Sequence, residues 1–162
     1  MAKRRERPPR AQPQRATRRP ASSSASVRYI ETSALVAALL EGDAEALTSL
    51  RGNARVMTSA LTFAEGARAI VRARVGGRLS ADVERAAMRA LRQFEHRCYV
   101  VAITDDVLRR VGRPFPVEPI RTLDAVHLAT VESIGELPAL VSVVTRDDRV
   151  RENAKALGYS VE

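Results

Sequence analysis

The chain has 162 residues, of which 45% are hydrophobic, and this composition fits one domain with a sizeable core. Its single cysteine excludes an internal disulfide and favours a reducing compartment. The longest apolar runs are too short to cross a bilayer, and the N-terminus lacks the apolar segment of a secretory signal. The totals therefore predict a cytoplasmic protein that has no membrane partner.

The formal charge of +8 is concentrated at the N-terminus. Residues 1–26 hold eight basic side chains and one acidic side chain, a net charge of +7, which leaves +1 for residues 27–162. Because the first segment is rich in Arg, Pro, Gln, Ala and Ser and lacks apolar periodicity, we predict a disordered basic arm over 1–26 and a folded domain over 27–162. The arm could contact phosphates of a nucleic acid, or it could be a solvated leader with no specific role.

Strand and helix patterns alternate along the rest of the chain. In chain order we predict a strand over 27–31, helices over 32–40 and 44–50, a strand over 55–58, helices over 59–75 and 80–96, a strand over 98–103, a helix over 104–111, a helix from about 122 to 135, a strand over 140–145, a helix over 147–157 and a strand over 159–161. Residues 113–119 contain three prolines and are predicted as a loop. Unbroken apolar strands that alternate with helices predict an α/β fold with a parallel sheet covered on both faces.

Acidic side chains occur near the carboxyl ends of the predicted strands. Glu31 ends the first strand, and Asp147 lies two residues after the strand that ends at 145. Glu65 and Asp124 lie on or beside the apolar sides of their helices. In open parallel sheets, ligands bind beyond the carboxyl ends of the strands, where the strand order reverses. We therefore expect the four acids to lie at one edge of the sheet.

Each acid also has a local explanation. Asp124 could be an acid in the first turn of a helix, favoured by the helix dipole. Glu65 could form a surface ion pair with an arginine of the next helical turns. Residues 145–148 resemble a capping box, so Asp147 or Asp148 could cap the last helix. Glu31 has the weakest local explanation, because an acid that finishes a buried strand has little local purpose.

Four neighbouring carboxylates would require a cation. Two unit charges 4 Å apart cost about 4 kcal/mol at an effective dielectric constant near 20. Without a counterion some of the acids would bind protons and titrate as a coupled set. Ligands that are all oxygen, with no His or Cys, indicate Mg²⁺ or Mn²⁺ rather than zinc. One such ion, or two, would suit phosphoryl chemistry by activating a water and stabilising the leaving oxygen.

Four segments in this order resemble the motifs of PIN domains of the VapC toxin type. They are residues 29–35 (YIETSAL), 58–65 (TSALTFAE), 121–129 (RTLDAVHLA) and 144–147 (VTRD), followed by 156–159 (ALGY). The resemblance covers residues 27–161 and implies a three-layer α/β/α sandwich with a central, mainly parallel sheet. It also implies RNA cleavage with Mg²⁺ or Mn²⁺, a homodimer, and an antitoxin partner whose tail blocks the site.

On this resemblance we expect a metal-dependent endoribonuclease, the toxin of a type II toxin–antitoxin pair, that hydrolyses RNA phosphodiesters. Glu31, Asp124 and Asp147 would hold the metal, and Glu65 would be a direct or water-mediated ligand. These four acids are the predicted catalytic residues, with Asp148 as a supporting candidate. A hydroxide generated at the metal would attack a phosphodiester in line.

Glu31 departs from the family pattern, which usually has Asp at this position. The extra methylene moves the carboxylate by about an ångström or more, and octahedral Mg²⁺ tolerates little error. Activity could be weaker, shifted toward Mn²⁺ or lost, so a second hypothesis is a catalytically impaired PIN scaffold that binds RNA or protein. A third hypothesis is a DNA-binding regulator that works through the basic arm, although the nearly neutral body shows no clear recognition helix.

Smaller roles are predicted for residues next to the acids. Thr32 or Ser33 could hold a metal-bound water through its hydroxyl, or could cap the first helix. Arg121 could steady a phosphate or could simply be solvated. His127 lies on the inward side of its helix and could act as a base, but a packed core histidine is favoured. Thr122 is predicted to cap that helix.

Overall fold

The computed structural model describes residues 27–51 and 54–162. The predicted basic arm over 1–26 lies outside the described residues. Its disorder, and the division of the chain into an arm and a domain, therefore stay predictions.

A five-stranded sheet forms the centre of the described chain. Its strands are β1 (Val27–Ile30), β2 (Arg55–Ser59), β3 (Tyr99–Val101), β4 (Val141–Val144) and β5 (Ser160–Val161). Their order is β3-β2-β1-β4-β5, and all four pairings are parallel. The chain moves from β1 outward to β3 and then returns to place β4 on the other side of β1, so the strand order reverses between β1 and β4.

Helices connect the strands, and their bounds agree with the predicted ones to within two residues. They are α1 (Thr32–Val36), which continues into a π-helical turn (Ala37–Glu41), α2 (Ala44–Ser49), α3 (Leu61–Val75), α4 (Ala81–Glu95), α5 (Asp105–Val111), α6 (Thr122–Ser133) and α7 (Asp148–Ala156), with a 3₁₀ turn (Pro138–Leu140) before β4. Within the described ranges, no helix is long and apolar enough to cross a bilayer.

Two apolar clusters lie on opposite faces of the sheet. One contains Tyr29 and Val143 together with side chains from α5, α6 and α7. The other contains Ile30 and Val144 together with side chains from α1, α3 and α4. Successive strand residues point to opposite faces, so neighbours in β1 and in β4 belong to different clusters. The predicted three-layer α/β/α sandwich is confirmed.

Burial falls from the centre of the sheet to one edge. All four residues of β4 are buried, as the prediction for an apolar central strand requires. In β3, by contrast, Tyr99 is 64% exposed and Val100 is 42% exposed. The prediction that the whole sheet is covered on both faces was wrong for β3, because this strand lies at the edge and pairs with β2 alone.

Candidate metal centre

The carboxyl ends of β1, β2 and β4 lie side by side, because these strands are parallel neighbours. Glu31 follows β1 directly, and α3 carries Glu65 after β2. Thr145 and Asp147 follow β4, and Asp124 lies in the first turn of α6. The strand order reverses at this edge, which is where open parallel sheets bind their ligands.

Glu31 is a buried carboxylate, only 6% exposed, that the protein itself holds in place. It occupies the N-cap position of α1, and both of its oxygens accept from the backbone N–H of Ser33 at 3.0 Å. Glu31 Oε2 also accepts from the hydroxyls of Ser33 and Thr145, the latter at 2.8 Å. The expectations that Glu31 has little local purpose and that Thr32 or Ser33 caps α1 were therefore wrong. The glutamate side chain is long enough for its carboxylate to accept from the N–H of Ser33, two positions later in the chain, and in this way Glu31 caps the helix.

Two hydroxyls link Glu31 to the segment after β4. Ser33 Oγ donates to Glu31 and accepts from the backbone N–H of Arg146 at 2.7 Å. Thr145 Oγ1 donates to Glu31 and accepts from the backbone N–H of Asp147 at 3.0 Å. Each hydroxyl therefore joins the end of β1 to the loop that leads into α7.

Glu65 is held in place by Thr32 and His127. Its Oε2 accepts from Thr32 Oγ1 at 2.6 Å and lies 2.8 Å from His127 Nε2. On the far side of the imidazole ring, His127 Nδ1 lies 2.8 Å from the Tyr29 hydroxyl. Burial raises the pKa of Glu65, but the hydrogen bonds from His127 and Thr32 outweigh this effect and leave the pKa below its usual value. Glu65 is therefore an ionised carboxylate.

His127 is a buried histidine with partners on both ring nitrogens, 1% exposed, as the packed-core reading predicted. Its Nε2 lies 3.8 Å from Glu31 Oε1. Glu31, Glu65 and His127 offer atoms that lie within 4.8 Å of one another, a grouping that could hold a metal ion. A ring nitrogen offers one binding position, and Nε2 already contacts Glu65 and Thr32. A carboxylate has about four lone-pair positions, so Glu31 and Glu65 can accept hydrogen bonds and still offer an oxygen to a cation.

One carboxylate oxygen of Asp124, Oδ2, is buried without a hydrogen-bond partner among the described residues. Burial raises the pKa of Asp124, and the negative charges of Asp147 and Glu31 raise it further. A buried carboxylate oxygen in such a field is unfavourable unless a cation compensates it. The unpartnered oxygen of Asp124 therefore fits a divalent cation. Asp147 and Glu31 act on Asp124 electrostatically, but the atoms that lie within 4.8 Å of one another belong to Glu31, Glu65 and His127, and neither Asp124 nor Asp147 is in that group.

Asp147 and Asp148 differ in their surroundings. Asp147 is the N-cap of α7, and its Oδ1 accepts from the backbone N–H groups of Arg149 at 2.8 Å and Val150 at 3.2 Å. The prediction that one of these acids caps the last helix is confirmed for Asp147. Its capping hydrogen bonds use only one of its two carboxylate oxygens. Asp148 is exposed, and its Oδ1 lies 3.8 Å from Arg151 Nε, so its carboxylate is directed to solvent and to Arg151.

Arg121 occupies the N-cap position of α6 and makes no side-chain capping hydrogen bond. The prediction that Thr122 caps this helix was wrong, because the backbone stays extended through Arg121 and Thr122 is already the first helical residue. The Arg121 side chain is exposed, and its positive charge lowers the pKa of Asp124, although burial and the neighbouring acids outweigh it.

Sequence reasoning missed Tyr29 and the role of Thr145. Tyr29 reads as an apolar strand residue, and Thr145 reads as the end of β4. The one available signal was the hydroxyl of a tyrosine in the middle of a central strand, since a buried phenol needs a hydrogen-bond partner. Nothing local identifies His127 as that partner.

Solved structures share this architecture. The fold is similar to that of VapBC2 from Rickettsia felis, solved bound to a DNA fragment from their promoter, with a TM-score of 0.60, 12% identity, and coverage of 84% of this chain and 97% of that chain. It is also similar to VapC20 of Mycobacterium tuberculosis, a sarcin–ricin loop cleaving toxin, with a TM-score of 0.57, 19% identity, and coverage of 82% and 95%. At these identities the likeness shows the fold.

The sequence itself matches the same family. The PIN domain model matches residues 28–156. The chain is 35% identical over 137 residues to ribonuclease VapC35 of Mycobacterium tuberculosis, with coverage of 82% of this chain and 93% of that protein. The chain therefore belongs to the PIN-domain family, among the VapC proteins, and the resemblance read from its motifs is confirmed.

Proposed function

We propose that this protein is a metal-dependent endoribonuclease and the toxin of a type II toxin–antitoxin pair. Its relative VapC35 is a ribonuclease, and VapC20, which shares the fold, is a toxin that cleaves the sarcin–ricin loop. The observation that carries the proposal is the buried, unpartnered Asp124 Oδ2, which lies in the field of Glu31 and Asp147 at the ligand-binding edge of the sheet.

We assign the cation site to carboxylates. Glu31, Asp124 and Asp147 would hold Mg²⁺ or Mn²⁺, and Glu65 would contribute directly or through a water. Oxygen ligands suit these hard cations. When bound, such an ion lowers the pKa of a water and stabilises charge on the leaving oxygen of a phosphodiester.

The remaining residues orient these acids. Ser33 and Thr145 hold Glu31 against the loop after β4. The pKa of Glu65 is lowered, and its Oε2 contacts Thr32 and His127, so Oε1 would be the oxygen available to a cation. Arg121 is exposed beside Asp124, where its guanidinium would contact a substrate phosphate.

A second candidate function is a catalytically impaired scaffold that binds RNA or protein. The observation that favours it is the engagement of Glu31: both oxygens accept from Ser33 N–H, and Oε2 accepts two hydroxyl protons as well. A cation at Glu31 competes with these donors. The substitution Glu31→Asp separates the two functions, because a large gain in cleavage would show that the natural protein is impaired.

The partners follow from the same proposal. RNA is the substrate, and a cognate antitoxin would bind the chain and block the site, as the family resemblance implies. The homodimer and the cytoplasmic location remain predictions. If a small open reading frame overlaps or directly precedes this one, its co-expression with this chain, followed by co-purification, tests the antitoxin partner.

The activity is tested with the purified full chain and a structured RNA, with and without Mn²⁺. We expect cleavage by the unmodified protein with Mn²⁺ and none by Asp124→Asn. A matched control is Asp106→Asn, because Asp106 also lies in the first turn of a helix but is exposed and pairs with Arg109. Equal cleavage in all samples would identify a contaminating nuclease and contradict the proposal.

A further inference from the structure

Arg146, in the loop after β4, bonds to both ends of the helical segment that follows β1. This segment, over 32–41, consists of α1 and the π-helical turn and is called the α1 segment below. The backbone N–H of Arg146 donates to Ser33 Oγ at 2.7 Å, near the start of the segment. Its guanidinium donates to the carboxylate of Asp43, two residues after the segment ends, through Nε at 2.7 Å and Nη2 at 3.2 Å. One loop residue therefore spans the whole α1 segment.

The Asp43–Arg146 pair is a two-point contact that is largely shielded from solvent. Both side chains are 24% exposed, and a guanidinium that meets a carboxylate through two N–H groups is held in one orientation. Arg146 Nη1 also donates to the carbonyl oxygens of Thr145 and Glu162, both at 3.3 Å. Glu45 lies 3.7 Å from Nη2, but its side chain is 93% exposed, so it adds little. Asp43 is therefore the side chain that orients the Arg146 guanidinium.

The contacts of Arg146 reach two of the proposed ligands. Ser33 Oγ, which accepts from the Arg146 N–H, donates its own proton to Glu31. Asp147 is the next residue after Arg146, and its carboxylate uses one oxygen to cap α7. A displacement of Arg146 would therefore move Asp147 relative to Glu31.

We propose that Asp43 and Arg146 are positioning residues for the cation site: their ion pair fixes the loop after β4 against the α1 segment, and thereby fixes Asp147 relative to Glu31. The inference rests on the proposed function only in that Glu31 and Asp147 hold a cation. The competing explanation is a purely structural role, because Asp43 Oδ1 also accepts from the Ala46 N–H at 2.9 Å and caps α2.

Two substitutions with opposite changes in charge separate positioning from electrostatics. Arg146→Met removes a positive charge near the site, so electrostatics alone predicts tighter Mn²⁺ binding. Asp43→Ser removes a negative charge, so electrostatics alone predicts weaker binding, and serine is still a favoured cap for α2. We expect both variants of the full chain to bind Mn²⁺ about tenfold more weakly, as is typical when a contact that orients a metal ligand is lost. Electron paramagnetic resonance of free Mn²⁺ measures the affinity.

The matched control is the ion pair between Arg110 in α5 and Glu132 in α6. Its length is also 2.7 Å and its side chains are 23% and 29% exposed, but Glu132 lies at the opposite end of α6 from Asp124. Arg110→Met should therefore leave the Mn²⁺ affinity unchanged, whatever it does to the melting temperature. Tighter Mn²⁺ binding by Arg146→Met, or the same loss of affinity in Arg110→Met, would overturn the proposal.

Two further variants test whether Asp43 and Arg146 act as a pair. The double variant that combines Asp43→Ser with Arg146→Met has the net charge of the natural protein. It should bind Mn²⁺ no more weakly than either single variant, because each single change already breaks the same connection. Arg146→Lys keeps the charge and loses the two-point contact, so it should also weaken Mn²⁺ binding. Arg146→Lys decides the question if Arg146→Met does not fold; an unchanged affinity in Arg146→Lys would contradict positioning by the guanidinium.

Amide hydrogen exchange provides a measurement that needs no metal. The Arg146 N–H is bonded to Ser33 Oγ, so its exchange should accelerate in Asp43→Ser while the amides of α6 exchange as in the natural protein. A natural protein that binds no Mn²⁺ would overturn the cation site and the proposed function, and the Arg146 amide would then decide whether the ion pair fixes the loop. Mn²⁺ binding and RNA cleavage that persist unchanged in Asp43→Ser and Arg146→Met would overturn the positioning role and support the proposed function.

Discussion

The hydroxyl of Thr145 donates a 2.8 Å hydrogen bond to Glu31, a residue 114 positions earlier in the chain. The same hydroxyl accepts from the backbone N–H of Asp147. A hydroxyl has one proton to donate, and here it is used on the carboxylate. Thr145 therefore connects two proposed ligands across the point where the strand order reverses.

The substitution Thr145→Val tests this connection, because valine keeps the shape and removes the hydroxyl. Buried Glu31 loses a donor, and the Asp147 N–H loses its acceptor. We expect the free energy of unfolding to fall by about 1–3 kcal/mol and RNA cleavage to fall with it. Urea unfolding measures the first effect. Thr48→Val is the control, since the Thr48 hydroxyl is exposed and bonds within its own helix; equal losses in both variants would contradict a special role for Thr145.

Glu31→Asp and Glu31→Gln separate the position of the carboxylate from its charge. Aspartate is a favoured N-cap, so Glu31→Asp retains α1 and shortens the reach to the cation. We expect cleavage by Glu31→Asp to stay within about tenfold of the natural protein, a change of about 1.4 kcal/mol. Glu31→Gln, which removes the negative charge, should reduce cleavage far more. A large gain in Glu31→Asp, measured as initial rates with Mg²⁺ and with Mn²⁺, would favour the impaired-scaffold function.

Asp124→Asn should stabilise the metal-free protein. The folded-state pKa of Asp124 is raised by burial and by Asp147 and Glu31, so ionised Asp124 opposes folding, and stability is lost as pH rises through the raised pKa. We expect Asp124→Asn to gain about 0.5–2 kcal/mol at neutral pH and little near pH 4. Thermal melts at the two pH values measure this. Mn²⁺ should raise the melting temperature of the natural protein and leave the variant unchanged; the opposite pattern would exclude Asp124 as a ligand.

Asp43 should contribute stability that acid removes. Its hydrogen bond from Arg146, 2.7 Å long, and that from the Ala46 N–H lower the pKa of Asp43 from 3.8 to about 2. A lowered carboxyl pKa stabilises the fold above about pH 4, and this contribution is lost as pH falls toward 2. Asp43→Asn keeps a capping oxygen for α2 but not the charge. We expect its melting temperature to vary less than that of the natural protein between pH 4 and 2; parallel curves would contradict the assignment.

Deletion of residues 1–26 tests whether the arm matters. The PIN domain model matches residues 28–156, and the proposed ligands all lie within that range. We expect the shortened chain to cleave RNA at the same rate as the full chain at physiological salt. A salt-dependent loss of cleavage would instead assign phosphate contacts to the arm.

The elements and their order were predictable because their signals are local. Apolar runs of strand length, proline at 113–119 and turn residues between helices act within a few positions of the chain. The exposure of β3 was not predictable, because its apolar run resembles that of a central strand and its edge position depends on which strands pair.

The sequence by itself determined a parallel α/β fold of the PIN family, because strand ends and motif order can be read along the chain. It also predicted that four acids lie at one edge of the sheet. Only the tertiary structure decided which atoms of those acids are engaged. Glu31 caps α1, Asp147 caps α7, Glu65 is held by His127, and Asp124 keeps a buried oxygen without a partner among the described residues. The contacts that hold Glu31 and Glu65 join side chains up to 114 positions apart, and no local pattern records hydrogen bonds between such distant residues.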